Sequence, residues 1–129
     1  MSHRVLVYGT LRQGESNHHL LTNSQFLGNV VTQAQFQLFD LGPYPAAIKG
    51  EQALVAEVYL VDDETMQQLD ILEDYPHEYD RELVTTPHGQ AWIYLYQNKR
   101  LLTKVIPSGD WCQRDNDYCD KNKVNFLPS

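Results

Sequence analysis

Cysteine is scarce in this chain. Cys112 and Cys119 are the only two, and the six residues between them fit neither a Cys-x-x-Cys redox pair nor a zinc site. Such usage points to free thiols in a reducing cytoplasm. Basic charge is short as well, with ten Lys and Arg against seventeen Asp and Glu and a formal net charge of −7. A nucleic acid or an anionic membrane surface would need clustered positive charge, whereas the basic residues are scattered apart from Lys99-Arg100 and Lys121/Lys123. No apolar run is long enough to cross a bilayer, and the first residues carry neither the h-region nor the cleavage site of a secretory leader. The histidines offer no ligand spacing: His18 and His19 are adjacent and face different ways, while His77 and His88 sit beside turn residues. No metal is expected. The P-loop lysine and the triple-glycine dinucleotide fingerprint are also missing, so no nucleotide cofactor is expected.

What is present fits one domain over residues 1–129, with 42% hydrophobic residues to fill a single core. The chain is organised around Val5-Leu6-Val7-Tyr8-Gly9-Thr10-Leu11-Arg12-Gln13-Gly14. Its apolar start reads as a strand buried on both faces, broken at Gly9. A glycine there permits a sharp turn and lets backbone amides approach a ligand, and Thr10 and Arg12 add a hydroxyl and a fixed positive charge. An ordinary strand-to-turn junction has the same pattern.

A short helix is expected at Ser16–Thr22, then strands at Phe26–Val31 and Gln35–Asp40, the second with Phe36 and Leu38 on one face. Leu41 to Gly50 is dense in turn residues and reads as a proline-stiffened loop. Ala53–Val61 is the clearest strand, with Glu57 inside it and expected to face solvent. Asp62 caps a helix from about Asp63 to Glu73, helped by Asp63 and Glu64 at its positive end. On that helix Met66, Leu69 and Leu72 form an apolar stripe, and Glu73 lies on its edge. A carboxylate turned toward the core needs a partner or a purpose; the alternative is that Glu73 frays into solvent or pairs with Arg81. Tyr79–Thr86 and Ala91–Tyr96 read as a hairpin turned at Pro87-His88-Gly89, with Trp92, Tyr94 and Tyr96 on one face. The Asp/Asn/Lys-rich tail after about residue 112 reads as loosely held surface. One helix among five or six short strands implies an α+β domain whose sheet curls into a small barrel.

Six segments, in order, resemble the γ-glutamylcyclotransferase-like family, in its AIG2-like γ-glutamylamine cyclotransferase branch. They are Tyr8-Gly9-Thr10-Leu11-Arg12-Gln13-Gly14, Tyr44-Pro45-Ala46-Ala47, Val55-Ala56-Glu57-Val58-Tyr59, Leu69-Asp70-Ile71-Leu72-Glu73-Asp74-Tyr75-Pro76, Tyr79-Asp80-Arg81 with Val84, and Trp92-Ile93-Tyr94. The resemblance spans about residues 4 to 111 and departs from the family where Ala56 stands in place of its usual glycine. It implies a small mixed β-barrel with flanking helices. It implies an enzyme that cyclises a γ-glutamyl amide to 5-oxoproline, releasing an amine or amino acid without metal or cofactor. Glu73 takes the role of general acid/base, and the backbone of Tyr8, Gly9, Thr10 and Leu11 that of the glutamyl-binding loop. Tyr79 and Arg81 would orient Glu73 or the ligand. The runner-up is a non-catalytic binder of an amino-acid-like ligand on the same fold. The amine partner and the oligomeric state are left open.

Overall fold

A computed structural model describes residues 2–114 together with the backbone of residues 124–125 and 127–128. Cys119 and the stretch around it lie outside those residues, and so does most of the expected loose tail; Cys112 is an exposed free thiol. The elements in chain order are β1 (Ser2–Val7), β2 (Gln25–Val31), β3 (Phe36–Asp40), β4 (Pro45–Lys49), β5 (Val55–Asp62), α1 (Asp63–Leu72), β6 (Tyr79–Thr86) and β7 (Gly89–Tyr96). Single 3-10 turns stand at His18–Leu21, where the short helix was expected, and at Lys99–Leu101 and Trp111–Gln113.

Five strands form one mixed sheet in the order β2-β5-β1-β7-β6, with β1 antiparallel to β5 and parallel to β7. The central position of β1 explains its unbroken apolar run: Val5, Leu6 and Val7 are each no more than 3% exposed. Successive side chains alternate between two apolar layers. Leu6, Tyr8, Val58, Ile93 and Leu95 pack on one face against Phe36, Leu38 and Ala47 of the β3–β4 hairpin. Val5, Val7, Tyr59, Tyr94 and Tyr96 pack on the other against Met66 and Leu69 of α1. The expected split of β7 into an aromatic and an aliphatic face is therefore what places it between the layers.

Three expectations are corrected. The stretch read wholly as a loop contains β4, which pairs with β3 from Asp40↔Pro45 to Phe36↔Lys49. Pro45 is tolerated at its first position, where the missing N–H costs no interior ladder bond. The real turn is only Leu41–Tyr44, where the Gly42 N–H donates to Oδ1 of Asp40 (2.7 Å) and Gly42 adopts φ 102°. Second, Glu57 does not face solvent; it is 4% exposed. Third, the strand pairing does not close into a barrel, because β2 and β6 remain edges. A bulge between Phe26 and Gly28 bends β2, and the His88 ring of the β6–β7 turn lies against Gly28. The fold is thus α+β, a five-stranded open sheet with one α-helix and a covering hairpin.

α1 follows its sequence signals closely. Asp62 accepts from the Thr65 N–H (2.8 Å) as N-cap, and Asp63 and Glu64 occupy the first turn. Beyond the helix, Asp74 takes the left-handed region (φ 49°) and turns the chain back toward β6. That reversal sets Glu73 at the last turn, above the sheet.

Candidate active site

The loop after β1 is built around a contact only glycine allows. A Cβ on Gly9 would lie 2.5 Å from Cγ and 2.8 Å from Cδ of Pro45, so the β3–β4 hairpin can close on the loop only if position 9 has no side chain. The loop's carbonyls are all engaged: Gly9 O accepts from Arg12 N (3.0 Å), Thr10 O from Asn17 N (2.8 Å), and Leu11 O from His18 Nδ1 (2.9 Å). The N–H groups of Gly9, Thr10 and Leu11, in contrast, have no acceptor among the described residues. These three residues line a small pocket, partly open to solvent, whose walls include Tyr8, Tyr44, Pro45, Tyr79 and Glu73. A row of backbone donors without acceptors beside a cavity can hold an anion.

Glu73 enters the same pocket from α1. Its own N–H bonds back to Leu69 O (3.0 Å), and it follows the buried Leu69 and Met66 by four and seven residues, so its side chain points where theirs do. Its carboxylate makes no hydrogen bond or ion pair among the described residues. Burial, and after it the nearby charge of Glu78, pushes its pKa up from 4.5 to about 7. The structure therefore answers the sequence ambiguity: Glu73 neither frays away nor pairs with Arg81.

The two tyrosines expected at the site hold its walls. The Tyr79 hydroxyl donates to Pro45 O (2.7 Å), fixing the proline that abuts Gly9. The Tyr8 hydroxyl donates to Tyr94 O (2.6 Å) and accepts from Ala47 N (3.3 Å), joining β1, β7 and β4. Burial holds both hydroxyls protonated, well above the usual phenol range. Arg81 is placed elsewhere. Its Nη1 contacts both oxygens of Asp70 (2.8 and 2.9 Å), and its guanidinium lies over the rings of Tyr75 (4.4 Å) and Trp92 (4.8 Å). Asp70 also accepts from the Tyr94 hydroxyl (2.7 Å), so Arg81 and Asp70 anchor the end of α1 to β6 and β7, and neither lines the pocket.

A family model described as gamma-glutamyl cyclotransferase, AIG2-like, matches residues 5–113, which include the loop, Glu73 and both tyrosines. The chain belongs to this γ-glutamyl cyclotransferase family. A Vibrio cholerae relative, provisionally named a gamma-glutamylcyclotransferase, is 56% identical over 114 residues, covering 88% of this chain and 99% of its own. The Escherichia coli gamma-glutamylcyclotransferase family protein YtfP is 44% identical over 112 residues, covering 87% and 98%. Its solution structure superimposes with a TM-score of 0.71. A crystal structure of an uncharacterised Pyrococcus horikoshii protein, PH0828, gives a TM-score of 0.79 at 33% identity, covering 90% of this chain and 95% of that one.

Sequence reasoning did not single out three residues that the structure places at this candidate site. Tyr44 and Tyr94 complete the inner wall, and Glu78 lines an adjoining hollow that shares Thr10, Tyr44, Glu73 and Tyr79 with the pocket. Tyr94 was visible on the aromatic face of β7, but as packing. Glu78 had no periodic signal at all, because it stands in the irregular turn between α1 and β6. Among the described residues no group of three or more His, Cys, Asp or Glu is gathered to hold a metal, and no helix is long and apolar enough to cross a membrane.

Proposed function

We propose that this chain cyclises the γ-glutamyl group of a small γ-glutamyl amide to 5-oxoproline and releases the amine, with Glu73 as general acid/base. The observation that carries this reading is the pairing, in one pocket, of a carboxylate with its pKa near 7 and the amide N–H groups of Gly9, Thr10 and Leu11, none of which has a partner among the described residues. The substrate's α-ammonium must lose a proton before its nitrogen can attack the γ-carbonyl. A carboxylate poised near neutrality accepts that proton and returns one to the leaving nitrogen. As the ring C–N bond forms and the amide C–N bond breaks, two protons leave the α-nitrogen and two arrive on the released amine. No water, metal or protein nucleophile enters the balance, and closure of a five-membered ring supplies the proximity. The loop amides hold the α-carboxylate or the oxyanion that develops on the attacked carbonyl. Tyr8 and Tyr79 act as positioning residues through the walls they brace, and Arg81 acts at longer range through the end of α1.

The test is release of 5-oxoproline from a panel of γ-glutamyl amines and γ-glutamyl amino acids, with wild type and Glu73→Gln side by side. Release by wild type that is lost in the variant is the expected result. If wild type released nothing while panel members still raised its melting temperature, the pocket would be a binding site without chemistry.

A further inference from the structure

Four residues border both the inner pocket and the hollow beside it: Thr10, Tyr44, Glu73 and Tyr79. Gly9 and Leu11, by contrast, border the inner pocket alone. Three of the four carry hydroxyls, and two of those are spent on protein acceptors. Tyr44 donates to Glu78 Oε2 (2.8 Å), and Tyr79 donates to Pro45 O (2.7 Å). The Thr10 hydroxyl is placed differently. Its Oγ1 accepts from Asn17 Nδ2 (2.9 Å), and its own O–H has no acceptor among the described residues. A hydroxyl has one proton to give, and a donor seated on one of its lone pairs turns that proton away from itself. Thr10 is gripped twice, because the Asn17 N–H also donates to Thr10 O (2.8 Å). Asn17 is fixed in turn where the 3-10 turn begins, its carbonyl accepting from Leu20 N (3.1 Å). The result is a half-buried hydroxyl with a set orientation and a proton still to place.

We propose that the Thr10 hydroxyl is a catalytic residue of its own, donating to the oxyanion that forms on the γ-carbonyl, and that Asn17 is the positioning residue that aims it. The proposal rests on the cyclotransferase reading. In that reading the scissile bond lies where the glutamyl half meets the amine half, at the boundary that Thr10 shares with Glu73. As the α-nitrogen attacks, its lone pair forms the ring C–N bond and the carbonyl π pair moves onto oxygen. As the amide C–N bond breaks, the π bond returns and the leaving nitrogen takes its proton from Glu73. The Thr10 O–H gives a hydrogen bond throughout and keeps its proton. A donor fixed in advance where charge appears stabilises the transition state more than the ground state. The amides of Gly9 and Leu11, which border the inner pocket alone, are then left to the α-carboxylate.

The test is steady-state 5-oxoproline release, with the γ-glutamyl amide that wild type turns over best, at about pH 8.5, where Glu73 is ionised. Thr10→Val keeps the side-chain shape and the loop amides but removes the hydroxyl. Its kcat is expected to fall roughly a hundredfold, as for loss of one oxyanion donor, while KM changes less than about threefold. Thr10→Ser returns the hydroxyl and brings kcat to within about threefold of wild type. Asn17→Asp offers an acceptor in place of the donor, captures the Thr10 proton and lowers kcat nearly as far as Thr10→Val. Asn17→Ala leaves the hydroxyl free to turn and costs less. An unchanged kcat in Thr10→Val, a loss confined to KM, or a failure of Thr10→Ser to restore turnover overturns this proposal alone. If circular dichroism showed Thr10→Val unfolded, the Asn17 variants would decide: wild-type kcat in Asn17→Asp overturns the proposal. No release by wild type from any γ-glutamyl amide overturns the cyclotransferase reading and this proposal with it.

Discussion

Glu57 on β5 and Glu73 at the end of α1 are both acids turned inward, and they are treated in opposite ways. Glu57 is saturated: its Oε2 accepts from Arg12 Nε (3.1 Å), and its Oε1 from the Gln13 N–H (3.0 Å) and the Tyr59 hydroxyl (2.9 Å). Arg12, only 7% exposed, continues the chain to Asp110 Oδ1 (2.6 Å), and Asp110 caps the turn at Cys112 (2.9 Å). Among the described residues Glu73 has none of this. An acid with three donors, one of them a cation, is a brace, and it ties the loop at Arg12-Gln13 to β5 and, through Arg12, to the closing segment. An acid left without donors in a pocket holds its proton to higher pH, and that is what proton transfer near neutrality requires. Partner count, more than burial, separates the two acids.

The sharpest way to break that comparison is to remove each carboxylate's charge. Glu73→Gln is expected to lower 5-oxoproline release by about three orders of magnitude, the usual loss of a general acid/base, while the fold persists by circular dichroism. On the other side of the comparison, Arg12→Met leaves Glu57 buried beside Asp110 without its cation, and should cost about 3–5 kcal/mol of stability in urea unfolding. Loss of activity in that variant should track loss of fold. A variant that stayed fully stable would show that Arg12 does not brace the loop.

A smaller effect concerns pH. Because Glu73's pKa is raised in the folded protein, its neutral form contributes stability in full below about 4.5, and that contribution is lost as pH rises through about 7. Glu73→Gln removes the penalty. The variant should melt no higher than wild type near the acid end of this window but gain on the order of 1–2 kcal/mol above it, read as a rise of a few degrees in Tm at alkaline pH. Identical melting curves at both ends would mean that the carboxyl is not held in a dry setting. The smallest expected change is in the pH–rate profile. Wild type should gain activity with a midpoint near pH 7, and Glu78→Gln, by deleting the second cause of the raised pKa, should move that midpoint down by a fraction of a unit. An unmoved midpoint would leave burial as the sole cause.

Much of the site was legible because its signals are local. The Asp62 cap and the period of Met66 and Leu69 place α1 and point Glu73 inward without knowledge of any other element. The break at Gly9 marks the loop, although the Pro45 contact that requires it comes from a hairpin thirty-six residues on. Where reading failed, the deciding partner was distant in sequence. Glu57 looked like a solvent-facing acid because alternation in a strand reports two faces and not what covers them, and its cation is Arg12 on another strand's loop. Arg81 looked like a partner for Glu73, yet Asp70, one helical turn earlier, is within reach of its fork and takes both contacts.

The sequence by itself determined where the chain is strand and where it is helix over most of its length, which acid stands at the edge of the helix stripe, and the family to which the chain belongs. Those properties arise from near-neighbour spacing, which backbone geometry converts directly into faces and caps. Only the tertiary structure decided that residues 45–49 are a strand, that the sheet stays open between β2 and β6, and that Glu57 is a brace. It alone brought Glu78 beside the pocket. Each of these depends on which segments meet after folding, through hydrogen bonds and ion pairs that span tens of residues and leave no period in the chain.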